Sequence, residues 1–146
     1  MRMTKAGIFF LCIILTGCQN LTGATPDVKP MTLSSNAVVE QDQADEAKEI
    51  VLSMEEVVEI KGVSNNDNRI YLAPRVKHFD RFRLKEIRKS GYDSVKKRFP
   101  EATVFLSTDQ KIYMELEKLE TELKNQTISE ERLNKRLTKL EEMMRG

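Results

Sequence analysis

Histidine occurs once in this 146-residue chain and cysteine twice. Its longest unbroken apolar run covers only residues 6–15. That run is about ten residues, whereas a membrane-spanning helix needs roughly twenty. The single histidine, His78, stands between Lys77 and Phe79 without partners at ligand spacing, which argues against a metal centre. Gly62 and Gly91 are isolated, so no glycine-rich phosphate loop is present. Ser53, Ser64, Ser90, Ser94, Ser107 and Ser129 lack the strand–turn–helix context of a nucleophile elbow. The paired carboxylates Glu55-Glu56 and Glu141-Glu142 are expected on solvated helix surfaces. Neither a catalytic constellation nor a cofactor is expected.

What the chain does have begins at its N-terminus. Arg2 and Lys5 precede the apolar run, and Leu15-Thr16-Gly17-Cys18 follows it. A positive start, a short apolar core and a small-residue cleavage site make a secretory signal peptide. The last four residues resemble the lipobox of bacterial lipoproteins. That resemblance implies cleavage after residue 17 and a diacylglyceryl group on the Cys18 sulfur. Two acyl chains anchor stably where one alone binds marginally. Cys12 would leave with the signal, so the mature protein would have no cysteine pair for a disulfide. The expected division is residues 1–17 signal peptide, 18–39 lipidated flexible tether, 40–108 a small α+β domain and 109–146 a C-terminal helical segment.

The net charge of +1 hides a segregation of sign. Residues 38–67 are acidic, residues 69–98 basic, and beyond Pro100 the signs intersperse. Such a pattern speaks to partners rather than to fold. Ala47, Ile50, Val51, Met54 and Val57 repeat at helical spacing and predict a helix over about 40–56. Alternation across Val58, Ile60 and Val63 predicts a short strand, Asn65-Asn66-Asp67-Asn68 a turn, and residues 69–76 a second, antiparallel strand. Pro74 cannot donate to a ladder and is expected near a strand end or edge. Leu84, Ile87, Gly91, Val95 and Phe99 predict a helix over about 80–98, N-capped by Asp80 and stopped by Pro100. Residues 103–107 predict a third strand, apolar enough to be central. The expected fold is α+β, an αββαβ unit with two helices on one face of a three-stranded sheet, similar to small ring-building or BON-like domains.

Ser107 and Gln110 suit a capping box that opens the C-terminal segment. There Ile112, Leu116, Leu119 and Leu123 are resumed by Leu133, Leu137, Leu140 and Met144 at the same spacing. Two readings stay open: one long coiled-coil helix, or a helical hairpin broken at residues 125–129 with Thr127 and Glu130 as a capping box. The α/β unit is expected to be complete by Ser107. The stripe of Leu116, Leu119, Leu133, Leu137 and Leu140 is therefore a candidate surface for a partner or for self-association, against the plainer alternative of packing on the sheet or on itself.

The other candidate surface is the second helix. Arg81, Lys85, Arg88, Lys89 and Lys96 can share its exposed side, facing anionic lipid, wall polymer or an acidic protein. Alternatively they form an ordinary solvated face, in part neutralised by the acidic first helix. Nucleic acid is not an expected partner outside the cytoplasm.

With these features on the page, a family likeness emerges. The lipobox, the acidic helix, Ile70-Tyr71-Leu72-Ala73, the run from Val76 through His78-Phe79-Asp80-Arg81-Phe82 to Leu84, and Ser107-Thr108-Asp109-Gln110-Lys111-Ile112 resemble the YhcN/YlaJ sporulation lipoproteins of spore-forming bacilli, closest to the YlaJ type. The resemblance covers residues 40–123 and the lipobox. It implies a non-catalytic lipoprotein of the forespore or spore inner membrane, on the extracytoplasmic face, linked to germination and cortex breakdown through a germination or cortex-lytic protein. The alternative is a structural or regulatory envelope lipoprotein that docks on anionic lipid or wall polymer.

Overall fold

The computed structural model describes residues 28–33 and 37–146. It is a mixed α+β fold with a three-stranded sheet and four helices. The first helix, α1, spans Asp42–Leu52 and buries Ala44, Ala47 and Val51. It stops short of the expected residue 56. The Ser53 hydroxyl donates to the Ile50 carbonyl and Val57 N bonds Met54 O, which turns the chain into the β-branched pair Val57-Val58. Strand β1, Val57–Asn65, pairs antiparallel with β2, Arg69–Val76. Asn65 Oδ1 accepts from the amides of Asp67 (3.1 Å) and Arg69 (3.2 Å), and Asn68 takes φ 57°, so the asparagine-rich turn behaves as its chemistry predicts.

The expected second helix divides in two. His78–Arg83 is a 3-10 segment, and α2 proper spans Leu84–Arg98. Asp80 does not cap α2; it pairs with Arg83 at 3.0 Å. The last helical bond is Phe99 N to Val95 O, and Pro100 follows as expected. Gly91 lets α2 approach the sheet, since a Cβ there would meet Leu106 Cδ1 at 3.0 Å. α2 is the crossover to β3, Thr103–Leu106, which pairs parallel to β2.

The sheet order β1-β2-β3 makes β2 the central strand and β3 an edge, which corrects the expectation for β3. Its apolar run reflects helices on both faces rather than strands on both sides. Thr103 N bonds Asn68 O and Ser107 N bonds Leu72 O, so even-numbered residues of β2 face β3. Pro74 is the next such position, just past the end of β3, where a missing N–H costs nothing.

The C-terminal segment is a hairpin of α3, Gln110–Lys124, and α4, Glu130–Arg145; it is not a single coiled-coil helix. Asp109 caps α3 by accepting from Lys111 N (2.8 Å) and Ile112 N (3.1 Å), while Ser107 supports Asp109 N; the Ser107–Gln110 capping box is corrected. Gln126 turns the chain at φ 56°. Ser129, not Thr127, caps α4 by accepting from Arg132 N, and the Thr127 hydroxyl donates to Glu122 O.

Two apolar clusters flank the sheet. On one face Ala47 and Val51 of α1, and Ile87 and Val95 of α2, pack on Ile60, Ile70, Leu72 and Val104. On the other, leucines of α3 and α4 cover Val63, Tyr71 and Ala73. The sheet unit is therefore not closed at Ser107, because its second face is completed by the hairpin. Part of the span expected as a tether, residues 18–39, also packs on the core. Leu33 and Val39 are buried, and Met31 packs against the hairpin cluster.

Candidate functional site

The five leucines proposed as a partner surface are inside. Leu116, Leu119, Leu133, Leu137 and Leu140 are at most 3 % exposed within the chain's own core. Burial of each is worth roughly 1.5–3 kcal/mol, which accounts for the stripe without any partner.

Two charged groups hold the hairpin to the sheet. Lys48, inside the apolar stripe of α1, and Glu120, inside that of α3, are both wholly buried and meet at 3.2 Å. Lys48 Nζ also donates to Met31 O (2.5 Å) and lies 2.9 Å from Asp45, whose other oxygen accepts from Leu33 N (2.7 Å). Glu120 accepts from Gly62 N at 2.8 Å. Burial pushes the Glu120 carboxyl up, against the opposing pull of Lys48, the Gly62 amide and Lys61. The side-chain amide of Gln41 pairs with both Ser64 N (2.9 Å) and Ser64 O (2.8 Å). Glu120 and Gln41 thus occupy backbone groups on the open edge of β1, a position at which another strand could otherwise add.

The second group centres on Glu141 of α4. It accepts from Arg69 (2.6 Å) and from the Tyr71 hydroxyl, and Arg145 stands 3.5 Å away. Glu141 is buried, not on a solvated surface as expected. Burial alone would raise its pKa, but the Tyr71 hydroxyl and the two arginines outweigh it and hold the carboxyl below the usual range.

The remaining chemistry gathers where β2 leaves the sheet. An open groove of about 590 Å³ lies between the ends of β1 and β2, the 3-10 segment and the start of α3. Within it Glu59 and Arg75 pair at 2.9 Å, and Arg75 stacks over the Tyr113 ring at 5.1 Å. The Tyr113 hydroxyl is the chief influence that holds Glu59 below the usual carboxylate range; burial opposes it, and Lys61 and Arg75 assist. Glu59 and Arg75 satisfy each other. Arg81, which also lines the groove, carries no ion pair among the described residues.

The five basic residues assigned to one anion-facing surface divide. Arg88 donates to Thr108 Oγ1 at 2.8 Å and ties α2 to the loop before α3. Lys89 pairs with Asp93 at 2.7 Å. Lys96 donates to the carbonyls of Pro100 (2.7 Å) and Ala102 (2.6 Å). Arg98 bridges to Glu46 of α1 at 3.1 Å, so the acidic first helix does neutralise part of α2. Arg81 and Lys85 are exposed and without an ion pair among the described residues, as is Lys77 just before the 3-10 segment. Beside them stand two groups that sequence reasoning left unassigned: Phe79 is 84 % exposed and Phe82 83 %. Their signal was available, because neither falls on the apolar stripe of α2 that begins at Leu84.

Leu15, Thr16, Gly17 and Cys18 lie outside the described residues. Among the described residues no helix is long and apolar enough to cross a membrane, and no group of three His, Cys, Asp or Glu side chains is placed to hold a metal ion. Comparison with protein-family models, with curated proteins and with solved structures returns no match.

Proposed function

We propose that the chain is a lipid-anchored extracytoplasmic lipoprotein of a spore-forming bacillus, acting at the forespore or spore inner membrane. Its role is docking in germination or cortex breakdown, through a germination or cortex-lytic protein, rather than catalysis. The observation that carries this reading is Leu15-Thr16-Gly17-Cys18 placed directly after Arg2, Lys5 and the ten-residue apolar run. The packing of Met31 and Leu33 supports it, because the core takes hold of the chain soon after the cysteine. Fully extended, the residues from Cys18 to Val28 span no more than about 35 Å. An acylated Cys18 would keep the domain within that distance of the bilayer. The αββαβ portion, with α1 and α2 sharing one face of the sheet, also supports the likeness to BON-like docking units.

The test is metabolic labelling of sporulating cells with a palmitate analogue. Wild type should take label and sediment with membranes, and Cys18→Ala should do neither. Deletion of the gene should slow the loss of cortex during germination. Unlabelled wild-type protein, or full label on the alanine variant, overturns the anchor; normal germination of the deletion strain overturns the role. A second reading, docking on an anionic envelope surface, is favoured by the unpaired, exposed Arg81 and Lys85.

A further inference from the structure

We propose that His78–Arg83 is a membrane-interface wedge: Phe79 and Phe82 enter the headgroup–acyl boundary of an anionic leaflet while Lys77, Arg81 and Lys85 rest on lipid phosphates. The proposal deepens the lipid-anchored reading and rests on it only for bringing the domain to a bilayer.

A 3-10 helix has three residues per turn, so residues three apart superimpose on one face. One face carries Asp80 and Arg83, which bond each other at 3.0 Å; Arg83 also reaches Glu56 in the turn before β1 (3.4 Å). Lys77 N bonds Glu56 O at 2.9 Å. The segment is therefore fastened to the fold. The next face carries Phe79 and Phe82, both turned to water. Such a pair of exposed rings among cations is the composition of an interfacial anchor: apolar groups supply depth and basic groups supply attraction to anionic lipid. Asp80 is the one acid in the segment, and it is engaged by Arg83. The charge left to face a surface is positive.

The course of the chain before α1 points the same way. Leu33 lies beside Asp45 and Met31 beside Lys48, so the chain traced back from Leu33 to Met31 heads along α1 toward its carboxyl end. That end leads into Val57, which pairs with Val76 immediately before the 3-10 segment. From Leu33 back to Met31 the described chain thus runs toward the end of the sheet that carries the two phenylalanines.

The chain contains no tryptophan, so a single introduced indole reports one position. The experiment uses the mature chain, residues 18–146, carrying Cys18→Ser so that no acyl group contributes. Phe79→Trp and Phe82→Trp are compared with Val38→Trp, which is exposed near Gln41 and Ser64 at the opposite end of the sheet. With phosphatidylglycerol/phosphatidylcholine vesicles, the first two should shift to the blue and be quenched by brominated acyl chains, and the third should not. Phe79→Ser with Phe82→Ser should lower partitioning at least about tenfold. Each of Lys77→Gln, Arg81→Gln and Lys85→Gln should lower it about fivefold on the anionic vesicles, with little change on phosphatidylcholine alone. Several outcomes overturn the wedge: no partitioning at low salt, undiminished partitioning of the double serine variant, or equal quenching at position 38. Binding to purified wall polymer but not to vesicles overturns it too. An indole at 79 or 82 already shielded without lipid overturns it by showing that other residues of the chain cover the pair. Loss of palmitate label in cells would remove the anchor and leave these vesicle results standing, so the two failures are separable.

Discussion

The C-terminal hairpin and the His78–Arg83 segment dispose of their apolar side chains in opposite ways. In the hairpin, leucines recur every three or four residues along both helices, and every member of the stripe is buried against the sheet. In the 3-10 segment, two phenylalanines share a face among basic residues, and both are more than four-fifths exposed. Periodicity sustained over several turns generates a face broad enough to cover a sheet layer, and the sheet has a second face that needs covering. A pair of rings on a single short turn offers no such face. The stripe that looks most like an interface is therefore core, and the less regular pair is what remains for an outside surface.

The largest test of this contrast is truncation after Lys124. Removing α4 strips Leu133, Leu137 and Leu140 from the cluster over Val63, Tyr71 and Ala73 and takes Glu141 from Tyr71. The truncated chain should lose cooperative thermal unfolding. Were it to melt cooperatively near the wild-type temperature, the hairpin would be an appendage and the contrast would collapse.

Glu120→Ala comes next. It would take from buried Lys48 one of its counter-charges, leaving Asp45, and leave Gly62 N without an acceptor, a type of loss worth up to about 3–5 kcal/mol. Leu119→Ala opens a cavity in the same layer and should cost about 2–5 kcal/mol. Denaturant titration measures both. Glu120→Gln keeps an acceptor for Gly62 N and should cost less than alanine; equal losses would show that packing, not the bond to β1, is what Glu120 contributes.

Much of this molecule can be read from its sequence where a period or a local chemistry dominates. β2 falls at residues 69–76 as alternation predicts, the asparagine turn forms, and Ile87, Gly91 and Val95 supply the buried side of α2. What escapes is decided across layers. Lys48 and Glu120 each interrupt an apolar stripe, and only their meeting 72 positions apart explains either. The third strand resembles a central one because helices on both faces demand the same composition as strands on both sides. The caps slip by a residue or two, to Asp109 and Ser129, because several residues of capping type stand together there. Of the basic surface, local spacing identified the charges but not the hydroxyl, the carboxylate and the carbonyls that occupy Arg88, Lys89 and Lys96 respectively.

A smaller effect comes from Glu141 on the hairpin side. Its carboxyl is held below the ordinary value of 4.5, so the bonds to Tyr71 and Arg69 stabilise the fold fully above the unfolded-state pKa. That contribution is lost as pH falls through the lower folded value. Glu141→Gln should cost about 1.5–3 kcal/mol at neutral pH, the range for a hydrogen bond to a charged group. The variant should then lose less stability than wild type on acidification below about pH 4.5. Urea midpoints at pH 7 and pH 3.5 give the comparison. Parallel loss in both proteins would mean that Glu141 titrates as an exposed carboxylate and does not fasten α4 to the sheet.

The smallest effect, and the sharpest for the contrast, belongs to the two phenylalanines. Phe79 and Phe82 keep most of their surface in water, and among the described residues their ring contacts are His78 on Phe79 and Arg83 on Phe82, each at 5.8 Å. Surface substitutions away from such packing stay within about 0.5 kcal/mol, so Phe79→Ser with Phe82→Ser should barely move the urea midpoint. The segment is fastened through Lys77 N, Asp80 and Arg83, none of which the double variant touches. A leucine-to-serine change in the hairpin would destabilise severely by comparison, although leucine is the smaller side chain. The difference between the two regions thus reduces to one measurement, the cost of making an apolar residue polar. If the phenylalanine pair costs several kcal/mol instead, it is covered in solution, and its place is with the core.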